Sequence, residues 1–333
     1  ADGRYLEAVT VSELWDEQND NKPTIGAVVY EGWHLGMIGK GALRDGGDKD
    51  VAALWDHTNN EWWTNEDYYE LPPSLATTDI NRFESYEEGL DPEDGLDDGN
   101  WYGHSLEELR EEPTRPGTPA FTRFTGDAVI DTMRDTKLGS DNLTDMFWVE
   151  MKMPDFAGHL WNMLEPEEAA VLKETDDQVA RFKAELDKTV GEGNYIIMIS
   201  ADHGQQPLPD LLGGWRINTS EFQKDVETEF GNIVEKVTTT DIFMDMDAVE
   251  EQGIDLDEVA EWASGYTIGE NIGLERPGAD RVPPSRLDDL IFAGAFSTDY
   301  IQDLAENPEK IESFGPGEYE EGRMTIDPDG VEE

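Results

Sequence analysis

The chain alternates short, continuous apolar runs with longer stretches in which apolar residues recur at helical spacing. Ile25-Gly26-Ala27-Val28-Val29-Tyr30, Met146-Phe147-Trp148-Val149 and Tyr195-Ile196-Ile197-Met198-Ile199 are of the first kind. Each is bounded by turn residues and shows no polar face, the pattern of a strand covered on both sides. Between the last two, Pro166 stands at a first helical position, with Glu167 and Glu168 in the first turn. Leu172, Val179, Phe182, Leu186 and Val190 then form one apolar stripe, and Gly191 and Gly193 end it. Strand, helix and strand of this length predict a right-handed crossover between parallel strands.

The other segments fit around this unit. Residues 10–20 read as a helix capped by Thr10 or Ser12, with Leu14 and Trp15 facing inward. Gly32 to Gly41 is a glycine-rich loop, but its spacing is not that of a phosphate loop and no Ser or Thr follows Lys40. His34 within it reads as a hydrogen-bonded loop residue. The aromatic-rich stretch from Val51 to Tyr69 reads as a helix packed on the sheet edge. Ser85 to Pro116 reads as an acidic surface excursion whose His104 has no visible partner, and Phe121 to Lys137 as a helix. Beyond Gly204, residues 211–217 suggest a loop feeding a strand. Residues 222–230, 256–262 and 290–305 suggest helices, residues 233–237 and 241–246 short strands, and residues 276–289 a loop. The tail from Pro308 is acidic and turn-rich. The expected fold class is α/β: a mostly parallel central sheet with helices on both faces over residues 1–210, with an acidic insertion near 85–116. A smaller α+β region and a C-terminal tail follow over residues 211–333.

Charge changes the picture of the surface. The 333 residues carry 24 basic and 77 acidic side chains, a formal net charge of −53. Nucleic-acid duplex binding through a basic face is excluded as a leading function. The chain also holds 10 Trp, 10 Tyr and 12 Phe, more aromatic content than an acidic disordered tail contains. It reads as a folded protein whose acidic surface suits a very salty medium, because the Debye length falls to roughly 3 Å at 1 M salt. Cysteine is absent, which removes disulfides and thiolate metal sites. No apolar run approaches the roughly 20 residues of a membrane span. With no signal peptide evident, a cytoplasmic location is the expectation.

Candidate chemistry gathers where the two strands of the crossover end. Pro154-Asp155-Phe156-Ala157-Gly158-His159 follows the first, and Ser200-Ala201-Asp202-His203-Gly204 follows the second. In open α/β sheets ligands bind beyond the carboxyl ends of strands, and Asp with His is a common ligand pair for zinc and similar divalent ions. The crossover places both pairs on one sheet edge.

These two motifs, with the helix Ser12-Glu13-Leu14-Trp15-Asp16 leading into the strand at Ile25, resemble the alkaline phosphatase superfamily. The resemblance is nearest to the type I phosphodiesterase/nucleotide pyrophosphatase branch and covers roughly residues 10–210. It implies an alkaline phosphatase-like fold and a metal-dependent hydrolase of phosphate esters, acting on a small-molecule phosphate ester or nucleotide. It also implies two divalent ions, zinc first and manganese or calcium as alternatives. By the resemblance, Asp155 and His159 belong to one ion and Asp202 and His203 to the other. Two such ions clamp the oxygens of an in-line phosphoryl displacement, and a Thr or Ser alkoxide attacks phosphorus.

The sequence departs from that pattern twice. The resemblance places the nucleophile and a further metal-binding Asp well upstream of the Ser12–Asp16 helix, and it supplies a late His, yet no His follows His203. The nucleophile is therefore not assigned, and Thr10 and Ser12 are poor candidates. The expectation is a C-terminal fragment of a longer enzyme. The alternative is a non-catalytic relative that keeps the fold and acts as an acidic interaction module.

Overall fold

In the computed structural model the described residues are Leu6 and residues 8–39, 46–238, 240–272 and 282–307. Two compact units divide the chain, Ala1–Leu208 and Pro209–Glu333.

The first unit is built around β1 (Ile25–Val29), buried along its whole length. It follows α1 (Val11–Gln18), where Thr10 and Glu13 close a reciprocal capping box. Next come α2 (Gly32–Ile38), β2 (Asp50–Asp56), β3 (Glu61–Trp63) and β4 (Tyr69–Glu70). The chain continues through α3 (Ile80–Glu88), the hairpin β5 (Asn100–Trp101) and β6 (His104–Ser105), α4 (Leu106–Leu109) and α5 (Pro119–Thr136). It ends with β7 (Met146–Val149), α6 (Met153–Trp161) and α7 (Pro166–Leu186). The sheet runs β3-β2-β1-β7. β1 is parallel to β2 and to β7, with Ala27 opposite both Ala52 and Trp148. β3 and β4 share the outer edge of β2, antiparallel and parallel respectively.

The period-two alternation of strands divides the core. Ala27, Val29, Ala52 and Leu54 face Leu35 of α2, whereas Val28, Ala53 and Trp55 face Phe121, Phe124 and Ala128 of α5. Helices therefore cover both faces of a mostly parallel sheet, the α/β class expected. Gly26 lies under the Phe147 ring, where a Cβ would approach to 2.6 Å. α5 and α7 are joined by two bidentate pairs, Arg123–Glu174 at 3.1 and 2.6 Å and Arg134–Glu185 at 2.8 and 2.8 Å. The carboxylates of both pairs are buried.

Several expectations are corrected. The aromatic stretch 51–69 is not a helix: Trp55 and Trp62 sit on paired strands, edge-on at 5.3 Å. The 32–41 stretch forms α2 over its first seven residues, and Lys40 and Gly41 lie outside the described residues. Segment 85–116 is not purely surface, because Leu90, Trp101 and Leu109 are fully buried. In α1 the buried residues are Ser12 and Asp16, while Leu14 is exposed. In α7, Val171 rather than Leu172 faces the core. The largest correction concerns Tyr195–Ile199. No described strand pairs with these residues, and Ile196, Met198 and Ile199 are exposed.

The second unit contains α8 (Thr219–Phe230), the antiparallel hairpin β8 (Val234–Val237) and β9 (Ile242–Met244), α9 (Met246–Gln252), α10 (Leu256–Ser264), α11 (Ile268–Asn271) and α12 (Thr298–Glu306). Its core is Phe222, Val226, Ile233, Val249, Val259, Ala263 and Tyr266. Residues 211–217 form no strand, and the last helix begins at Thr298 rather than near 290. Part of the 276–289 loop and the tail from Pro308 lie outside the described residues. No helix among the described residues is long and apolar enough to cross a membrane.

Candidate metal centre

The centre lies just past the carboxyl end of β7. Lys152 precedes α6 and Pro154 occupies its first turn, where a missing N–H costs nothing. Asp155 follows in the same turn and His159 one turn later. Positions i and i+4 share a helix face, so this motif presents Asp155 and His159 from a helix and not from a loop. Met153 and Ala157 anchor the opposite face in the core. Asn162 ends the helix at a positive φ of 76°, and its side-chain oxygen accepts the Leu208 N–H at 3.2 Å.

The second motif reaches the same place as an irregular segment. Gln205 fixes it: its Nε2 donates to the Asp155 backbone oxygen at 3.2 Å and to Asp155 Oδ1 at 3.4 Å. The Gln205 side chain lies on Gly158, where a Cβ would come within 2.5 Å of it. Asp155 Oδ1 consequently has His159 Nε2 at 3.6 Å and His203 Nε2 at 3.7 Å. Asp202 Oδ2 is 3.5 Å from the same His203 nitrogen. All four sequence-predicted residues are brought together. Their grouping differs from one Asp/His pair per ion, since both imidazoles flank a single Asp155 oxygen.

The chemistry of His203 is set by its other nitrogen. Nδ1 is 3.0 Å from the Gly204 carbonyl oxygen, which can only accept, so Nδ1 carries the proton. In the neutral ring this leaves the lone pair on Nε2, the nitrogen aimed at Asp155. Donors around a tetrahedral zinc at about 2.0 Å sit about 3.3 Å apart, within a few tenths of an ångström of the spacings here. The donors thus match a divalent ion in type, and three of their pairs match in spacing. They do not form a finished cage: among the described residues no group of three or more His, Asp or Glu side chains is placed to hold an ion. The second Asp155 oxygen is held by the Lys152 ammonium at 2.8 Å.

Residues that sequence reasoning missed shape the field. Burial pulls the Lys152 pKa down, but the Asp155 ion pair outweighs it and the net shift is upward. Glu168, in the first turn of α7, is 3% exposed and its Oε2 has no hydrogen-bond partner. Burial, with a smaller contribution from the Asp155 charge, raises its carboxyl to about 7. Backbone hydrogen bonding and the nearby His203 hold Asp202 below the usual carboxylate range. Nothing in the spacing of Glu168 marked it, because a first-turn glutamate reads as a solvated partner of the helix dipole. Lys152, three residues before Asp155, carried the i,i+3 signal and was overlooked.

His34, His104, Thr10 and Ser12 have other partners. His34 Nδ1 is 2.5 Å from Glu150 Oε1, and Glu150 Oε2 accepts the Tyr30 and Glu31 amides. His104 does have a partner, Glu167 at 3.1 Å, and its ring lies 4.2 Å from that of Trp161. Thr10 caps α1, and Ser12, only 1% exposed, accepts Trp148 Nε1 at 2.9 Å.

Residues 33–238 match the family described as type I phosphodiesterase / nucleotide pyrophosphatase. The chain is 29% identical over 161 residues to alkaline phosphatase PafA of Elizabethkingia meningoseptica, a match covering 45% of this chain and 29% of that protein. It is 24% identical over 163 residues to alkaline phosphatase PhoV of Synechococcus elongatus, covering 44% of this chain and 29% of that protein. The crystal structure of wild-type PafA superposes with a TM-score of 0.58 at 18% identity, covering 76% of this chain and 54% of that one. The fold is therefore PafA-like, and the chain spans well under two thirds of the length of these relatives.

Proposed function

Because the chain belongs to the type I phosphodiesterase/nucleotide pyrophosphatase family, we propose that it is part of a metal-dependent hydrolase of small phosphate esters, phosphodiesters and nucleotides among them. Asp155, His159, Asp202 and His203 would hold the divalent ions, with zinc the best match to the nitrogen and oxygen donors. The observation that carries this reading is the Asp155 carboxylate with two imidazole nitrogens at 3.6 and 3.7 Å. Bound there, a divalent ion supplies Lewis-acid stabilisation of phosphoryl oxygens. The chain's own residues set up the rest. Gly204 fixes the tautomer of His203, Gln205 holds the second motif against α6, and Lys152 keeps a positive charge beside Asp155 in a strongly negative molecule. The attacking hydroxyl is a group other than Thr10 or Ser12, since both are engaged in the fold, and would come from a longer protein of which this chain is a part. The acidic surface supports a high-salt setting.

Titration of the full chain with zinc in molar KCl, followed by calorimetry, tests the centre. Binding that weakens at least tenfold in Asp155→Asn and His203→Ala is the expected result; unchanged binding in both variants would remove the reading. The unfinished cage favours one alternative, a non-catalytic relative retaining part of the site. Turnover of bis(4-nitrophenyl) phosphate by the longer protein would exclude it.

A further inference from the structure

The metal centre lies at one end of α7; the other end lines a groove of different chemistry. Side chains of α3, α5, α7 and the turn after α7 enclose a groove of about 610 Å³, a size that holds a small organic ligand. Arg82, Arg134, Arg181 and Lys188 meet three carboxylates there, those of Asp127, Asp131 and Glu185. The whole chain carries 77 acidic against 24 basic side chains, so a groove in which bases outnumber acids reverses the local sign. The groove is roughly 20–25 Å from Glu168 along α7, at about 1.5 Å per residue, and it shares no residue with the metal centre. Its ion pairs are of two kinds. Asp127 and Glu185, with side chains 11% and 8% exposed, are well supplied with donors at the floor. Asp127 accepts from Arg181 and from the Tyr86 hydroxyl at 2.6 Å each, and Glu185 accepts twice from Arg134 at 2.8 Å. The outer donors are held loosely. Arg82 Nη1 stands 3.4 Å from Asp127 and 3.5 Å from Asp131, Arg134 Nη1 3.7 Å from Asp131, and Lys188 Nζ 3.6 Å from Glu185. Good hydrogen bonds are shorter than this, and a guanidinium has five N–H donors to place. The side chains of Arg82, Arg134 and Lys188 are 45%, 51% and 69% exposed. Buried acids thus hold the basic groups in position while leaving donors open to the groove.

We infer that this groove is a second binding site, for a small organic phosphomonoester. Its phosphoryl dianion is held by Arg82 and Arg134, whose Nη1 atoms flank Asp131, with Lys188 beside them on the Glu185 oxygen that Arg134 also uses. Its organic part lies on Ile130, Ala184 and the Tyr86 ring, the less polar part of the lining. Guanidinium forks match phosphoryl oxygens in pairs, and a basic concavity in a strongly negative molecule is where an anion collects. A chloride ion is far smaller than the groove and makes no use of its apolar side. An acidic polypeptide fits less well, because it would run past the groove onto a surface of its own charge in a molecule of net charge −53. The inference stands apart from the metal reading, since neither site contributes a side chain to the other.

The test is calorimetry with phenyl phosphate on the full chain, freed of divalent ions by EDTA, in molar KCl, where the overall negative charge is screened. Saturable binding is expected, at least threefold tighter than that of inorganic phosphate. Arg82 and Lys188 make only loose pairs, so Arg82→Gln and Lys188→Gln should keep the parent melting temperature within a few degrees while each weakens binding at least threefold. Asp131→Asn removes a charge that repels the dianion and should tighten binding at least twofold, the opposite of what loss of a structural ion pair would do. Asp155→Asn should change nothing. Absence of saturable binding, equal affinity for inorganic phosphate, or unchanged affinity in both Arg82→Gln and Lys188→Gln would overturn the inference. So would unchanged or weaker binding in Asp131→Asn. Binding abolished by Asp155→Asn would put the ligand at the metal centre and likewise remove the second site.

Discussion

Glu168 offers the sharpest quantitative prediction. Its carboxyl is 3% exposed, one oxygen lacks a hydrogen bond, and burial with the Asp155 charge lifts it from the ordinary 4.5 to about 7. The folded chain therefore holds this proton at pH values where the unfolded chain has lost it. By linkage, stability falls as pH rises between about 4.5 and 7, with a slope approaching 1.4 kcal/mol per pH unit from this group alone. Below that window the group costs nothing through ionisation; above it the folded state carries the whole penalty, roughly 3 kcal/mol. Glu168→Gln removes the ionisation while nearly preserving shape. At pH 8 the variant should be more stable than the parent by up to about 3 kcal/mol, and at pH 4.5 the two should agree within about 1 kcal/mol. Urea melts in 2 M KCl at half-unit pH steps measure the difference directly, and subtracting the two curves cancels the titration of the other acidic side chains. A difference that stays flat from pH 5 to 8 would show that Glu168 is not buried as a lone acid, and the reasoning would fail.

Other predictions follow from the same geometry. Gly158→Ala should leave the melting temperature within a few degrees but weaken zinc binding by at least threefold, because the new methyl displaces the Gln205 side chain from Asp155; calorimetry reads this, and unchanged affinity would refute the clasp. Arg123→Met should destabilise the chain by about 2–3 kcal/mol in urea melts, since Glu174 is left buried without its bidentate partner. Melting temperature should climb steadily between 0.2 and 3 M KCl as the −53 charge is screened; a flat profile would contradict the reading of the surface.

Much of the first unit was legible because its elements have one-dimensional signatures. β1, β7, α5 and α7 announce themselves by continuous apolar runs or by periodic stripes with capping residues. The 51–69 stretch was misread because aromatic density does not distinguish a helix from a hairpin of wide residues. There the turn at Asp56–Asn60, where Asp56 accepts the Thr58 and Asn59 amides, was the better signal. The four Asp and His side chains were legible as a candidate set because each pair follows a continuous apolar run. Their arrangement was not, since it depends on Gln205 reaching back across the crossover. Tyr195–Ile199 shows the limit most clearly: its composition encodes burial, and burial requires a neighbour that composition cannot supply.

The helix seam made by Arg123–Glu174 and Arg134–Glu185 sets a limit on how far dilution can loosen this molecule. Attraction between partly desolvated opposite charges strengthens as counterions are withdrawn, while repulsion across the exterior grows. Desalting should therefore strip the periphery first and leave α5 and α7 clasped, a residual helical pair from which the sheet can reassemble when electrolyte returns.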